Sequence, residues 1–388
     1  MPNVAPFDGL LFDPARVGDL AAVTAPPYDI IGREEQHRLH RSSPYNIALV
    51  DLGRDRGGSR DKYTRAGDLF RRWRDEGALS RAGRPAFYPY EMRFVHQGSP
   101  RTVRGVVMEV GLEPWGGGVL PHERTMAAPV EDRLALMRAT RANISPIYAL
   151  CAGPSESQAA LLEHTSRRQP DREVADEAGV VHRLWIEDPA EDVSAWHRDR
   201  ALLVADGHHR YQTALAFQEE ARGEHGPGPW DAVMMLVVDS VAEDPPVLPI
   251  HRVARLEQIP RLPGHRVRDL AEVLVWLAEG GLRFGAAVRR RDGLEHLVGT
   301  LEGDPPAVTA LHREILDTLD GIREIGYLSD AAAAEEAVRS GASDLALFLP
   351  AARVEEIRSV IDGGGRLPQK STYFWPKPRT GMVIRPLD

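Results

Sequence analysis

The chain has few of the residues that build covalent cross-links, and it lacks long apolar runs. Cys151 is the one cysteine among 388 residues, which excludes an internal disulfide and a cysteine-based zinc site. A transmembrane helix is also excluded, because no stretch of about 18 apolar residues occurs. The first residues, MPNVAPFDGLLFDP, do not combine a basic segment with an apolar core, so we expect no secretory signal and a cytoplasmic location.

Lysine is almost as scarce as cysteine. It occurs at Lys62, Lys370 and Lys377, while arginine fills the other 45 basic positions. Because a lysine ammonium is a compact point charge that arginine does not reproduce, the three lysines are candidates for contacts such as one with a phosphate. An equally good explanation is that the three lysines remain by random drift in a chain whose composition strongly favours arginine.

Basic residues are outnumbered by acidic ones, and the net charge is −9. The two signs are mixed along the chain rather than gathered into a basic stripe, so we expect no binding of nucleic acid. The contents of 43% apolar and 27% charged residues are typical of a globular protein, and the length predicts two or three domains.

Short apolar runs alternate with helical patterns and predict an α+β fold with mixed sheets. The clearest strands are predicted at 201–205 and 231–239, with a helix at 211–222 between them. Further strands are predicted at 86–94, 101–112, 145–151, 180–186 and 345–349, and further helices at 33–40, 63–77, 131–140 and 352–361. Three regions are expected, 1–115, 116–256 and 257–388, with 257–264 as the best linker candidate.

Five polar or glycine residues, Asp206–Arg210, separate the strand at 201–205 from the following helix. A glycine at such a junction lets the backbone approach a ligand closely, and a helix N-terminus attracts phosphate. His208, His209 and Arg210 add hydrogen-bond donors, and Asp206 is a candidate to orient a histidine or to bind magnesium. The alternative is an Asp-capped helix with solvated side chains.

Two further segments gather polar groups. His122 and Glu123 lie in the segment PHERT shortly after a triple glycine, where a carboxylate beside a histidine suits a general base; an ordinary polar loop is an equal alternative. Lys370, Ser371 and Thr372 lie in PQKSTYFWPK, where a phosphate-contacting lysine would have hydroxyl neighbours. The glycine pattern of a Walker motif is absent there, and the aromatic run predicts an extended segment.

Several blocks of the chain, in order, resemble the bacterial and archaeal DUF1015 family. They are PFDG from Pro6, APPYDII from Ala25, HERT from His122, EDRLALMRATRANISPIY from Glu131, DGHHRYQTAL from Asp206, LPIHR from Leu248 and PQKSTYFWPK from Pro368. Family members usually carry a lysine just before the Asp-Arg-Leu of the fourth block, where this chain has Val130-Glu131. Any phosphate contact that this lysine makes in relatives is therefore absent here.

The DGHHR block also resembles the signature of the ParB-like free serine kinases. This resemblance implies a ParB/sulfiredoxin-like nucleotide-binding core and a kinase that uses ATP or ADP with Mg²⁺ to phosphorylate L-serine or a related hydroxyl compound. The implied roles are catalysis by Glu123, His122 and Asp206; phosphate binding by Gly207, His208, His209, Arg210, Lys370, Ser371 and Thr372; substrate binding by Tyr28, Asp29, Asn143 and Ser145; and magnesium binding by Asp206.

Two other functions are compatible with the same residues. A ParB-like nucleotide-binding switch or scaffold would bind nucleotide without needing Glu123 as a base. A phosphate-ester hydrolase would use His208 or His209 as a nucleophile or metal ligand. A homo-oligomer is compatible with each of these functions, and no membrane partner is expected.

Overall fold

The computed structural model describes residues 2–55, 61–123, 127–153, 156–188, 200–291, 293–304 and 306–388. Its α-helices are α1 Pro14–Val17, α2 Leu20–Val23, α3 Arg33–Ser42, α4 Ala48–Asp51, α5 Lys62–Asp75, α6 Ala127–Thr140, α7 Glu156–Ser166, α8 His208–His225, α9 Leu270–Ala278, α10 Ala307–Glu314, α11 Ala331–Arg339 and α12 Val354–Asp362. Its strands are β1 Val4–Ala5, β2 Leu10–Phe12, β3 Leu79–Arg81, β4 Tyr88–His96, β5 Ser99–Gly111, β6 Val119–Pro121, β7 Ala142–Asn143, β8 Ile147–Cys151, β9 Arg172–Ala175, β10 Val181–Leu184, β11 Leu202–Asp206, β12 Ala232–Asp239, β13 Val247–Leu248, β14 His251–Leu256, β15 His265–Val267, β16 Arg283–Arg290, β17 Gly293–Thr300, β18 Ile322–Leu328, β19 Leu345–Phe348, β20 Tyr373–Phe374 and β21 Arg385–Pro386. None of the described helices combines the length and the apolar character that crossing a bilayer requires.

The chain divides into two compact units. Unit 1 comprises residues 1–121, 125–245 and 376–388, and unit 2 comprises 122–124 and 246–375. The sequence predicts a boundary between 115 and 116, but one sheet of unit 1 takes strands from both sides of it. Strands that are far apart in the sequence pair within this sheet. Local composition therefore does not reveal where one unit ends and the other begins.

The large sheet of unit 1 has the order β6-β11-β8-β12-β5-β4-β10-β9, and β1 adds to β5. It is mixed, because β6 pairs parallel to β11 and β8 pairs parallel to β12, while the other pairs are antiparallel. The central strands β8, β11 and β12 are buried almost throughout, which explains their continuous apolar runs. Tyr211 and Ala214 of α8 pack against one face of this sheet.

Unit 2 is built on a six-stranded sheet with the order β15-β17-β16-β19-β14-β18. Successive side chains of a strand point to opposite faces, and β16 shows this clearly, with Ala286 and Val288 in one apolar cluster and Ala287 in another. Helix α10 covers the first face, and helices α9 and α11 cover the second. Strands β13 and β20 form a separate two-stranded pairing in the same unit.

The predicted α+β class with mixed sheets is confirmed, and so are the predicted strands and helices, with shifted ends. Helix α8 is three residues longer at each end than predicted, since it begins at His208 and runs to His225 instead of spanning 211–222. Its polar first turn carries no apolar periodicity, so the sequence pattern placed the helix start too late. The ParB/sulfiredoxin-like core stays a prediction.

Candidate functional site

The segment Asp206–Arg210 forms a sharp turn between a buried strand and a long helix in unit 1. Strand β11 ends at Asp206, Gly207 adopts a left-handed conformation with φ 100°, and the 18-residue α8 begins at His208. A residue with a side chain is strained at such a φ, which explains the glycine. No side chain caps the first turn of α8. The first N–H groups of α8 and the positive end of its dipole therefore lie at this turn, and the predicted phosphate contact stays a prediction.

Arg210 ties this turn to the segment that precedes β8. Its Nη1 donates to the Ser145 hydroxyl at 2.7 Å and to the Pro146 carbonyl, and its Nη2 pairs with Asp206 Oδ2. The side chains of Arg210 and Asp206 are 11% and 14% exposed. These contacts hold the guanidinium in place beside the turn.

Lys377 joins the predicted substrate residue Asp29 to the turn. Its Nζ donates to Asp29 Oδ2 at 2.9 Å and to Asp206 Oδ1 at 2.5 Å, and its side chain is 6% exposed. Burial lowers the pKa of Lys377, but the carboxylates of Asp206 and Asp29 outweigh burial and raise it above its ordinary range. This lysine is therefore charged at neutral pH and paired with both carboxylates in the structure.

A cavity in unit 1 is bordered by three of the residues predicted to hold substrate, Tyr28, Asn143 and Ser145, together with Arg210. The Arg133 guanidinium lies 4.1 Å from the centre of the Tyr28 ring, and burial raises the pKa of Tyr28 to about 12. Tyr28 is therefore a neutral hydroxyl at ordinary pH. The structure brings these three predicted substrate residues to one cavity that Arg210 also borders.

Two predicted residues of unit 1 also have packing roles. The Asn143 side-chain oxygen accepts from the Met234 backbone N–H at 3.1 Å, which leaves it less available to a ligand. His208 is 8% exposed and stacks on Trp115, with ring centres 6.1 Å apart. The predicted phosphate contact of His208 stays a prediction beside this observed packing role.

The remaining predicted residues gather in unit 2. The Glu123 carboxylate accepts the backbone N–H groups of Lys370, Ser371 and Thr372 at 3.1, 2.8 and 3.1 Å. Lys370 has a positive φ of 54°, which turns the successive N–H groups toward one point. This turn is an anion-binding nest, and in this structure the anion that it holds is Glu123.

The side chains around this nest are bonded to one another. His122 is fully buried and its Nε2 lies 2.6 Å from the Thr372 hydroxyl, while the Ser371 hydroxyl donates to the Pro368 carbonyl at 2.6 Å. Glu123 therefore anchors the segment 370–372, a structural role that sequence reasoning did not foresee. The prediction that Lys370, Ser371 and Thr372 contact a nucleotide phosphate is untested.

The role of Asp206 as a magnesium ligand does not fit its surroundings. Its Oδ1 faces the ammonium of Lys377 and its Oδ2 faces the guanidinium of Arg210, so both oxygens that magnesium would need already face cations. Among the described residues, no group of three or more His, Cys, Asp and Glu side chains is suited to a metal.

Sequence reasoning missed three residues of the unit 1 site. Lys377 was noted for its rarity and considered for a phosphate, but it pairs with two carboxylates. Arg133 lies in the block EDRLALMRATRANISPIY, one of those that carry the family resemblance. Its place in that block was the signal by which the sequence could have pointed to it. Asp51, which borders the cavity, follows an ordinary apolar run and gave no signal.

Comparison with known proteins places the chain in a family. The model of the family described as "Protein of unknown function (DUF1015)" matches residues 4–270. Similar solved structures include a conserved hypothetical protein from Pyrococcus furiosus, with 16% identity, coverage of 67% of this chain and 90% of the other, and a TM-score of 0.37. They also include a free serine kinase in complex with ADP, with 16% identity, coverage of 68% and 89%, and a TM-score of 0.37.

No curated protein matches the chain. The family assignment rests on the family model, which covers well over half of the 388 residues. The chain belongs to the DUF1015 family.

Proposed function

We propose that this protein is a small-molecule kinase that transfers a phosphoryl group from ATP or ADP to the hydroxyl of free L-serine or a related metabolite. The observation that carries the proposal is the Asp206–Arg210 turn beside a cavity bordered by Tyr28, Asn143 and Ser145. A phosphate site and a pocket for a small polar molecule are the two requirements of such a reaction.

The turn is suited to the phosphates of the nucleotide. Transfer of a phosphoryl group depends mainly on positioning and on neutralising charge at the phosphate oxygens. The uncapped first turn of α8 supplies backbone N–H groups that position the phosphates, and the guanidinium of Arg210 beside it supplies positive charge. Magnesium is assigned no ligand in this chain and would enter with the nucleotide.

The reaction balances with Glu123 as the proton acceptor. The hydroxyl oxygen of the substrate forms a bond to the terminal phosphorus, and the bond from this phosphorus to the bridging oxygen breaks. The shortened nucleotide leaves with that electron pair, and Glu123 takes the hydroxyl proton. Glu123 is the base that the resemblance implies, and in the structure its carboxyl oxygens accept three backbone N–H groups.

One observation favours a second function, the nucleotide-binding switch. Glu123 anchors the turn at 370–372, a role that needs no proton transfer. In a switch, the phosphates would bind at Asp206–Arg210 as in the kinase, but no product would form. Replacement of Glu123 separates the two functions.

The test is a product assay with a panel of donors and acceptors. Purified protein, Mg²⁺ and single nucleoside di- or triphosphates are incubated with L-serine or other hydroxy compounds, and products are read by mass spectrometry. We expect a phosphorylated acceptor from the parent protein and from Arg138→Ala, an exposed control on α6. Arg210→Ala and Glu123→Gln should form no product. Nucleotide binding without product, unchanged in Glu123→Gln, would replace the kinase with the switch.

A further inference from the structure

The cavity that Tyr28, Asn143, Ser145 and Arg210 border is also bordered by a buried carboxylate that the predicted site does not use. Asp51 ends α4, borders the cavity and is 6% exposed. Its Oδ1 accepts from Arg133 Nη1 at 2.8 Å. Its Oδ2 is buried and has no hydrogen-bond partner among the described residues.

A buried carboxylate oxygen without a hydrogen-bond donor, such as Asp51 Oδ2, lowers the stability of the folded chain. A buried polar atom without a partner loses its bonds to water and gains none in return, and the loss is larger for a charged group. Burial raises the pKa of Asp51, and the nearby cations Arg133 and Arg210 only partly oppose it. A group that donates to Oδ2 and carries positive charge would remove this penalty.

The rest of the cavity suits a molecule with a negative end. The cationic side chains of Arg133 and Arg210 both border the cavity. The cavity volume is about 40 Å³, against the roughly 10–15 Å³ that one water molecule needs on the same scale. There is room for several waters or for a small metabolite.

We propose that Asp51 binds the ammonium group of the acceptor and that the acceptor is a zwitterionic amino acid. This inference rests on the proposed function, because it concerns the pocket in which the phosphoryl acceptor lies. The ammonium donates to Oδ2, and the positive charges of Arg133 and Arg210 on the cavity wall neutralise the carboxylate of the same molecule. Asp51 thus determines specificity for amines, while the hydroxyl is the group that reacts.

The neighbouring Asp132 provides a matched control. It also pairs with Arg133, through Nε at 3.0 Å and Nη2 at 2.5 Å, but it does not border the cavity. Asp51→Asn keeps an oxygen for Arg133 while replacing the second oxygen with an N–H donor, which repels an ammonium. Asp132→Asn makes the same change beside Arg133 and leaves the cavity intact.

The experiment measures the affinities of L-serine and of L-glycerate, which has a hydroxyl in place of the amine, by calorimetry. We expect the parent protein to prefer L-serine, and Asp51→Asn to lose about tenfold or more for L-serine with little change for L-glycerate. Asp132→Asn should keep the preference. Nucleotide affinity should stay unchanged in both variants.

Three results would overturn the inference: equal affinity of the parent protein for both ligands, unchanged L-serine affinity in Asp51→Asn, or an equal loss in Asp51→Asn and Asp132→Asn. The first needs no variant and remains decisive if Asp51→Asn does not fold. Transfer of phosphate to L-glycerate or another amine-free acceptor would refute this inference while leaving the kinase intact. Absence of transfer to every acceptor would count against the kinase itself.

Discussion

Replacing Lys377 with methionine removes a buried cation that two carboxylates share. The ammonium contacts Asp29 and Asp206, and its side chain is 6% exposed. Methionine fills a similar volume but leaves both carboxylates without this partner. Because removal of one member of a buried ion pair leaves an uncompensated charge, we expect Lys377→Met to lower the free energy of unfolding by about 3–5 kcal/mol.

Lys62 provides the control for this change. It pairs with Asp132 at 2.6 Å, but the two side chains are 27% and 30% exposed, so water replaces much of the lost contact. A pair of this kind contributes about 0–1 kcal/mol. The two substitutions should therefore differ by at least about 2 kcal/mol.

The assay is urea unfolding at pH 7, followed by circular dichroism and tryptophan fluorescence. The pKa of Lys377 is raised above its ordinary 10.5 in the folded chain, so its stabilisation is complete below pH 10.5 and is lost only as pH rises beyond that value. The difference between parent and variant should therefore stay constant from neutral pH to about pH 9. An equal cost for Lys377→Met and Lys62→Met would refute the reasoning.

Two further changes test the turn and unit 2. Gly207→Ala places a Cβ 2.9 Å from Arg210 Nε at a left-handed φ, so we expect a loss of about 1–3 kcal/mol in urea unfolding and weaker nucleotide binding. Gly223→Ala, in open space on the same helix, should not destabilise; equal costs would contradict the strain argument. Burial and Arg252 lower the pKa of His251 from 6.5 to about 4 in the folded chain. Between these two pH values the histidine is protonated in the unfolded chain and neutral in the folded chain. Unfolding free energy should therefore fall between pH 6.5 and about 4, and His251→Gln should flatten that fall; an unchanged slope would rule out this residue as the cause.

Local signals were sufficient to predict the conformation of the turn at Asp206–Arg210. A buried strand, a glycine and a helix follow one another within the segment 202–225, as the sequence pattern indicates. The polar first turn of α8 was the exception. The first residues of α8 are polar and do not continue the apolar pattern of the helix. Hydrophobic periodicity therefore did not reveal where the helix begins.

Contacts between distant parts of the chain were beyond such signals. Asp51 meets Arg133 across 82 residues, and Glu123 meets Ser371 across 248. Neither pairing leaves a pattern in the sequence. The scarcity of lysine did point to Lys377, but composition could not reveal that its partners are carboxylates rather than phosphate.

The central claim of phosphoryl transfer is tested most directly by phosphorus NMR on a single reaction of protein, Mg²⁺, ATP and L-serine, repeated with ADP as donor. We expect a new phosphomonoester resonance that grows in step with loss of the donor's terminal phosphate and is absent without L-serine. Release of inorganic phosphate alone would contradict the kinase and favour a hydrolase. An unchanged spectrum from protein that binds the nucleotide would contradict it as well and favour the switch.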